Sequence, residues 1–371
     1  MCVGRFHAKV SLSWWIVFSV NFLLASGIML TYLSRKGSGD KVSPPRLNDE
    51  SIKRALVILP IKGVDYEIEK NLTSLLDQDY DAFDITAVVD SYEDRSVVFL
   101  KRNGIKHIVS SATCAGCSGK VRAIYSAILE YPEYDFYVVA DSDIRVQKTW
   151  LSSLLLPLLD KSVGVSTTFP VFYPEAGFWS KFKMFWGLVG QSMMESNLTK
   201  FVWGGSMAFR RDFMDEDSLK MFSQSVSDDI AILRIVKSKD LEISYVPEAR
   251  PTIHSNDDFE TFVEWSNRQT AFSIYSTKKT FIFGIIYYLI SLYLILSSIV
   301  LSVLVNLSFA VFLFPYLYNS VNSERKVPVK VWYFLFLTFI LPFIYIWNLS
   351  HGIIRNNVTW RGTTYSLSRN N

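Results

Sequence analysis

The sequence predicts an α/β domain with a mixed, mostly parallel sheet, joined to transmembrane α-helices. Two observations support this fold class. Short apolar runs alternate with segments of helical spacing between residues 54 and 277, which is typical of parallel strands connected by helices. Long stretches without a charged residue lie on both sides of that region, and half of the 371 residues are hydrophobic.

The strands and helices of the domain follow from the spacing of its apolar residues. We expect strands over Ala55–Pro60, Phe83–Val89, His107–Val109, Phe136–Ala140 and Val163–Phe169. We expect helices over Glu67–Leu76, Ser96–Lys101, Lys120–Glu130 and Thr149–Leu159. The aromatic segment Phe178–Leu188 is either a core helix or a helix on the membrane surface, and both interpretations stay open.

Three charge-free stretches predict membrane segments: Ser11–Leu33, Phe281–Val321 and Val331–Leu349. A helix needs roughly 20 apolar residues to cross the hydrocarbon core of a bilayer. The second stretch is too long for one crossing, so we expect a hairpin that is broken near Val305–Asn306. These lengths predict an N-terminal span (11–33) and about three membrane segments within 278–350.

The first span could instead be a cleaved signal peptide, but its apolar core exceeds the ~7–15 residues that are typical of one. Basic residues follow it, and they mark the cytoplasmic side of a membrane helix: Arg35, Lys36, Lys41 and Arg46. We therefore expect a multi-pass membrane protein with a polar linker (34–53), a cytoplasmic domain (54–277), and a tail (351–371) whose side stays open. The net charge of +3 gives no indication of nucleic-acid binding.

Two carboxylates, Asp141 and Asp143, follow the predicted buried strand Phe136–Ala140. At this spacing they leave the strand on the same side and can chelate one Mg²⁺ or Mn²⁺, which in turn can hold a diphosphate. The same residues are also typical of an ordinary turn. His254 is a candidate third metal ligand or phosphate donor, although a lone loop histidine is more often neither.

Other strand ends also carry candidate residues. Pro60 and Asp90 lie at the carboxyl ends of two predicted strands, where ligands of α/β sheets gather. Asp90 can accept hydrogen bonds from a nucleotide base or ribose, or it can cap a turn. Trp203-Gly204-Gly205 allows close backbone approach to a ligand, or it forms a tight turn.

Two further motifs follow. Asp228 and Asp229 open a predicted helix, where the helix dipole stabilises acids without any catalysis, yet one of them can also act as a general base. Arg268 can bind a diphosphate bidentately, or it belongs to an amphipathic helix at the membrane. Cys114 and Cys117 form a single C-x-x-C without the second pair that zinc requires, and we interpret them as ordinary loop thiols.

Taken in order, these residues resemble a family 2-type inverting glycosyltransferase with a GT-A fold, anchored in a membrane. The opening segment Leu59–Asp65, the segment Asp141–Val146 and the W-R-G-x-x-Y tail at 360–365 are similar to the ceramide glucosyltransferase-like branch. The sequence departs from that family where Arg268-Gln269 stands in place of the usual Arg-Trp.

The resemblance implies a role for each site residue. Asp90 would contact the nucleotide base, with Lys120 near the nucleotide, and Asp141 and Asp143 would bind the metal–diphosphate. Asp229 would be the general base, with Asp228 beside it. The remaining candidates would line the nucleotide-sugar site (Pro60, Arg268, Gln269) and the acceptor pocket (Trp203, Gly204, Gly205).

The activity implied is transfer of a sugar from a nucleotide-sugar donor, preferably a UDP-hexose, to a membrane lipid with inversion. A processive polysaccharide synthase is an alternative, but its channel would need more membrane helices than the sequence predicts. A non-catalytic scaffold with a transferase-like domain is a second alternative. The acids at Asp90, Asp141, Asp143 and Asp229 argue against it.

Overall fold

The structure is a computed structural model and describes residues 2–34, 53–114, 116–197, 199–324, 331–355, 357–360 and 363–366. The chain divides into two compact units. The sheet unit comprises Gly37–Phe262 and Asn357–Ser368. The helical unit comprises Met1–Lys36, Val263–Asn356 and Arg369–Asn371. Most of the predicted linker, and Arg361-Gly362 of the W-R-G-x-x-Y tail, lie outside the described residues.

The described strands all belong to the sheet unit. They are β1 (Ala55–Pro60), β2 (Phe83–Val89), β3 (Lys106–Val109), β4 (Phe136–Ala140), β5 (Ile144–Arg145), β6 (Val163–Thr167), β7 (Val171–Pro174), β8 (Ser206–Arg210), β9 (Glu242–Tyr245), β10 (Thr252–Ser255), β11 (Asn357–Trp360) and β12 (Thr363–Ser366). The main sheet has seven strands in the order β3-β2-β1-β4-β8-β6-β9, and a smaller sheet has the order β5-β10-β7. Strands β11 and β12 form an antiparallel hairpin.

The helices divide between the two units. Those of the sheet unit are α2 (Ile68–Leu76), α3 (Val97–Arg102), α4 (Gly119–Glu130), α5 (Trp150–Leu155), α6 (Phe178–Met194), α7 (Glu216–Ser223) and α8 (Asp228–Ser238). Helix α9 (Phe259–Ser276) begins in the sheet unit and continues into the helical unit, which also contains α1 (Cys2–Leu33), α10 (Lys278–Leu304), α11 (Phe314–Glu324) and α12 (Val331–Ile354).

The direction of the strands brings several predicted site residues to one edge of the main sheet. Strands β3, β2, β1 and β4 are parallel to their neighbours, whereas β8 is antiparallel to β4 and pairs Ser206 with Ala140. The mixed, mostly parallel sheet that the sequence predicts is therefore confirmed. Because β8 begins where β4 ends, Gly205 lies at the same edge as Pro60, Asp90 and Asp141.

The core lies between the main sheet and its helices. Helix α4 buries Val121, Ile124 and Ile128 on one face, as the helical spacing of these residues predicts. They belong to one hydrophobic cluster with Val139 of β4 and Phe209 of β8. Helix α4 is thereby packed onto the strands that end at the site edge.

Helix α6 is a core helix of the sheet unit. Its residues from Phe182 through Gly187 are buried, including the charged Lys183. The Lys183 ammonium lies 3.2 Å from the Asp257 carboxylate, so this buried charge is paired. The structure supports the core interpretation over a helix on the membrane surface, because the aromatic side chains face protein.

Three helices of the helical unit are long and apolar enough to cross a membrane: Ser13–Leu33, Lys279–Leu304 and Leu335–Ile354. The expected break near Val305–Asn306 is confirmed, because α10 ends at Leu304. The second arm of the expected hairpin is not one long helix. It consists of a 3₁₀ helix (Leu307–Leu313) followed by the eleven-residue α11. Helix α11 is too short to span a bilayer alone.

The structure differs from the sequence interpretation at Cys114 and Cys117, which it joins by a disulfide. Their Cα atoms are 5.8 Å apart, within the range of ~4.4–6.8 Å that such a bond requires. The interpretation of both residues as ordinary loop thiols is therefore wrong, because it excluded a zinc site and did not weigh a bond between two cysteines only three positions apart.

Phe182→Ala should destabilise the sheet unit strongly. Phe182 is fully buried, and its ring packs against the Phe262 ring at a centroid distance of 5.2 Å. Removal of a buried phenylalanine typically costs about 3–5 kcal/mol. We expect a clearly lower melting temperature for the purified protein in detergent, whereas Val98→Ala, at a 59% exposed position, should leave it nearly unchanged. Equal melting temperatures for the two variants would contradict this assignment of the core.

Candidate active site

One lysine connects three segments at the edge of the main sheet. Lys120 lies in the first turn of α4, whose N-terminus is capped by the Ser118 side chain. Its ammonium nitrogen is 2.7 Å from Asp141 Oδ1 and 3.1 Å from Asp228 Oδ2. It also donates a 3.2 Å hydrogen bond to the carbonyl oxygen of Gly204. The Lys120 side chain is only 11% exposed, so these contacts replace water around the charge.

The two carboxylates keep Lys120 charged. Burial alone would favour the neutral amine, but the charges of Asp141 and Asp228 outweigh that effect and raise the pKa of Lys120. The ammonium in turn offsets the repulsion between two carboxylates that share one site. Removing the Lys120 charge would leave the two carboxylates without their shared counter-charge.

Glycines allow the segment before β8 to approach these groups. A Cβ atom at Gly204 would lie 2.3 Å from Asp228 Oδ2, and one at Gly205 would lie 2.2 Å from the Trp203 ring. Both distances are far shorter than van der Waals contact. Thr167 Oγ1 also accepts from the Trp203 amide at 3.1 Å. The Trp203-Gly204-Gly205 segment is therefore a fixed turn whose backbone contacts the charged cluster.

Asp229 lies beside this cluster at the N-terminus of α8 and is partly buried. Its Oδ1 accepts hydrogen bonds from the Ser227 hydroxyl and from the Ile230 amide. Burial, followed by the negative charge of Asp228, raises the pKa of Asp229 to about 6. Ser227 takes the N-cap position of α8, but its hydroxyl bonds Asp229 and makes no capping hydrogen bond.

The segment between Asp141 and Asp143 is held by its neighbours. The Asp141 amide donates to the carbonyl of Gly205 at 2.9 Å. The Ser142 hydroxyl donates to the Asp65 carboxylate, and Asn71 Nδ2 donates to the Ser142 carbonyl at 3.3 Å. These bonds fix the backbone that carries both carboxylates.

Asp90 has two cationic partners that the sequence analysis missed. Lys62 lies 3.0 Å from one of its carboxylate oxygens, and Arg122 lies 3.2 Å from the other. The Asp90 side chain is 36% exposed, so the group remains open to a ligand. Arg122 lies two residues after Lys120 in the first turn of α4. This short spacing in the sequence could have indicated that both cations lie near the same site. Pro60 ends β1, the neighbouring strand.

The His254 side chain contacts Glu175 and Thr252, not the predicted metal ligands Asp141 and Asp143. Strand β10 pairs Ile253 with Ile144, which puts His254 one residue beyond that pair, toward Asp143. Its side chain, however, contacts Glu175 through Nδ1 at 2.5 Å and Thr252 through Nε2 at 3.0 Å. A metal site of Asp141, Asp143 and His254 stays a prediction.

Among the described residues, the metal-ligating atoms that converge within 4.8 Å belong to Glu67, Glu175 and His254. Glu67 has a left-handed backbone (φ 50) and binds Lys70 and Arg145. Hydrogen bonds from Lys70 and then Arg145 lower the pKa of Glu67 to about 2. Sequence reasoning missed this cluster because its members come from three distant segments.

Arg268 and Gln269 lie on α9 within the helical unit. Their part in a nucleotide-sugar site stays a prediction.

Comparisons with known proteins agree with the predicted fold. The model of glycosyl transferase family 21 matches residues 20–371. The mannosyltransferase PcManGT from Pyrobaculum calidifontis, solved in complex with GDP-Man and Mn²⁺, is similar at 13% identity with a TM-score of 0.55. The match covers 91% of this chain and 98% of that one. A Mycobacterium tuberculosis glucosyl-3-phosphoglycerate synthase matches at 14% identity and a TM-score of 0.43, over 60% and 80% of the two chains. The likeness to the mannosyltransferase confirms a GT-A fold.

Asp229→Asn should stabilise the protein at alkaline pH. An aspartate whose pKa is higher in the folded protein than in the unfolded chain destabilises the fold above that pKa, because its ionisation costs more in the folded state. With a folded pKa of about 6, the cost approaches about 1–3 kcal/mol at pH 8. The melting temperature of the variant should exceed that of the wild type at pH 8, and the difference should vanish as the pH falls through 6 toward 4.

The matched control for this experiment is Asp217→Asn, which changes an exposed acid of α7. Its melting temperature should follow the wild type at every pH. A difference between Asp229→Asn and the wild type that does not depend on pH would rule out the raised pKa as its cause.

Proposed function

The chain belongs to glycosyl transferase family 21, and on this premise we propose that it transfers a hexose from a UDP-hexose donor to a membrane lipid, with inversion at the anomeric carbon. The observation that carries the proposal is the position of Asp229. This carboxylate lies beside the Lys120-linked pair of Asp141 and Asp228, at the edge of the sheet where Asp90 also lies.

The donor would bind along this edge. Asp90, flanked by Lys62 and Arg122, would accept a hydrogen bond from the base. Asp141 and Asp143 would hold Mg²⁺ or Mn²⁺, since both offer the carboxylate oxygens that these ions prefer. The Lys120 ammonium at 2.7 Å supports this fit, because it shows that Asp141 Oδ1 already faces a position taken by a cation. Such an ion would neutralise charge on the departing diphosphate.

Asp229 would act as the general base. A base works best when its pKa is near the working pH, and burial brings the pKa of Asp229 to about 6. At neutral pH most of it is then ionised and can take a proton from an acceptor hydroxyl. Direct attack by that hydroxyl on the anomeric carbon, opposite the leaving diphosphate, gives inversion. Trp203, Gly204 and Gly205 would border the acceptor.

The lipid acceptor is inferred from the helical unit. Three helices in the described residues are long and apolar enough to span a bilayer. An enzyme held in a bilayer by such helices has direct access to acceptors that are dissolved in the same bilayer. The cations that follow the first span favour a cytoplasmic sheet unit.

The division of the chain into two units also indicates on which side of the membrane the tail lies. The sheet unit includes Asn357–Ser368, so the chain leaves this unit before α10 and returns to it after α12. A unit on one side of a membrane requires an even number of crossings between those points. The helices Lys279–Leu304 and Leu335–Ile354 supply two, which supports a cytoplasmic tail and a third segment, around α11, that does not cross.

The test of the function is lipid labelling by the purified full-length protein in mixed-lipid micelles. It uses a panel of radiolabelled UDP- and GDP-sugars with Mn²⁺ or Mg²⁺. We expect a labelled product in the organic phase that depends on the metal ion. Asp229→Asn should lower its rate by about 10²–10⁴-fold, while UDP binding measured by calorimetry is retained.

Asp217→Asn serves again as the control and should keep wild-type turnover. Label found only in insoluble polymer would show that the acceptor is a growing polysaccharide and would contradict the lipid acceptor. The absence of turnover and of nucleotide binding in a folded wild-type protein would overturn the proposal.

The cytoplasmic tail can be tested by labelling single cysteines in sealed membrane vesicles. Ser366→Cys and Val98→Cys, both at exposed positions, would be introduced after Cys2, Cys114 and Cys117 are replaced by serine. We expect a membrane-impermeant maleimide to reach both from the same side, and lysis to expose both together in vesicles of the opposite orientation. Labelling of the two positions from opposite sides would contradict an even number of crossings.

A further inference from the structure

The Lys120 ammonium contacts three different parts of the proposed site. It donates a hydrogen bond to the Gly204 carbonyl and forms ion pairs with Asp141 and Asp228. Asp141 belongs to the donor side, Asp228 adjoins the proposed base, and Gly204 belongs to the acceptor turn. An ammonium group has only three donors, so a further acceptor that approaches Lys120 competes with these contacts.

A donor diphosphate would bring such an acceptor. Its oxygens carry negative charge and would arrive next to Asp141, where they compete for the same ammonium. The side chain is only 11% exposed, so a movement of the ammonium toward the diphosphate also changes its distances to Asp228 and Gly204. A change on the donor side is therefore transmitted to the base side.

We propose that Lys120 is a positioning residue that couples donor binding to the placement of Asp228 and the acceptor turn. This inference rests on the proposed function and extends it, because it names the side chain through which the donor side and the base side of the site affect one another. Coupling of this kind is reciprocal. A change at Asp228 must then alter donor affinity, and it must do so through Lys120.

The reciprocal effect can be measured without knowing the lipid. The probe is UDP with Mn²⁺, titrated by calorimetry into the full-length protein in detergent. The variants are Lys120→Met, Asp228→Asn and the double variant, and they form a double-mutant cycle. Lys120→Met should weaken UDP binding by roughly tenfold or more, since it removes one charge-assisted contact. Asp228→Asn should tighten it by roughly three- to tenfold, because the ammonium then faces one negative charge fewer within the site.

The decisive comparison is the effect of Asp228→Asn in the two backgrounds. If Lys120 transmits the effect, the tightening seen in the wild type disappears in Lys120→Met. If the charge of Asp228 acts on the diphosphate directly, the tightening is equal in both backgrounds and the proposal is overturned. An absence of any effect of Asp228→Asn in the wild type overturns it as well.

Two further variants keep the result interpretable. Lys148→Met removes an exposed lysine that pairs with Asp77 at 3.0 Å, and it should leave UDP affinity unchanged. If Lys120→Met melts too low to be studied, Lys120→Arg replaces it. Arginine retains the charge with a different geometry, so the effect of Asp228→Asn should shrink and keep its sign. An undiminished effect would overturn the proposal.

Failure of the coupling is distinguishable from failure of the function. A wild-type protein that binds UDP or GDP with Mn²⁺ but shows no coupling leaves the glycosyltransferase proposal standing and removes the role of Lys120. A folded wild-type protein that binds no nucleotide overturns both.

Discussion

The contact of one ammonium with two carboxylates and a carbonyl determines how the edge of the sheet is built. Lys120 comes from a helix, Asp141 follows a strand, Asp228 opens another helix, and Gly204 precedes an antiparallel strand. A buried charge is tolerated only when its partners are close and well placed. The positions of four separate segments are thus tied to one side chain, and glycine at position 204 is what allows Asp228 to come near it.

The elements that carry local signals could be predicted from the sequence. Strand β4 is a continuous apolar run that ends at Asp141, and the periodic burial of α4 follows from the spacing of Val121, Ile124 and Ile128. Parallel strands bring their carboxyl ends together, so the meeting of Asp90 and Asp141 at one edge also followed. The break after Leu304 was visible as a charge-free stretch too long for one helix.

Through-space partners were not predictable in the same way. Nothing in the spacing of Lys120 indicates that it joins Asp141 to Asp228, because these positions are far apart in sequence and meet only after β8 inserts beside β4. For His254 the strand register predicts a position near Asp143, but the ring contacts Glu175. Backbone register follows from pattern, whereas the choice among nearby partners depends on side-chain geometry that a sequence does not display.

The sheet unit is assembled from two parts of the chain, Gly37–Phe262 and Asn357–Ser368, with most of the helical unit encoded between them. At typical rates of synthesis the ribosome needs roughly five to twenty seconds to make the intervening segment. During that interval the sheet unit exists without the hairpin of β11 and β12, while the long apolar helices are being made. The sheet unit is therefore complete only after the helical segment has been synthesised, and a message that ends before residue 357 yields a sheet unit without β11 and β12.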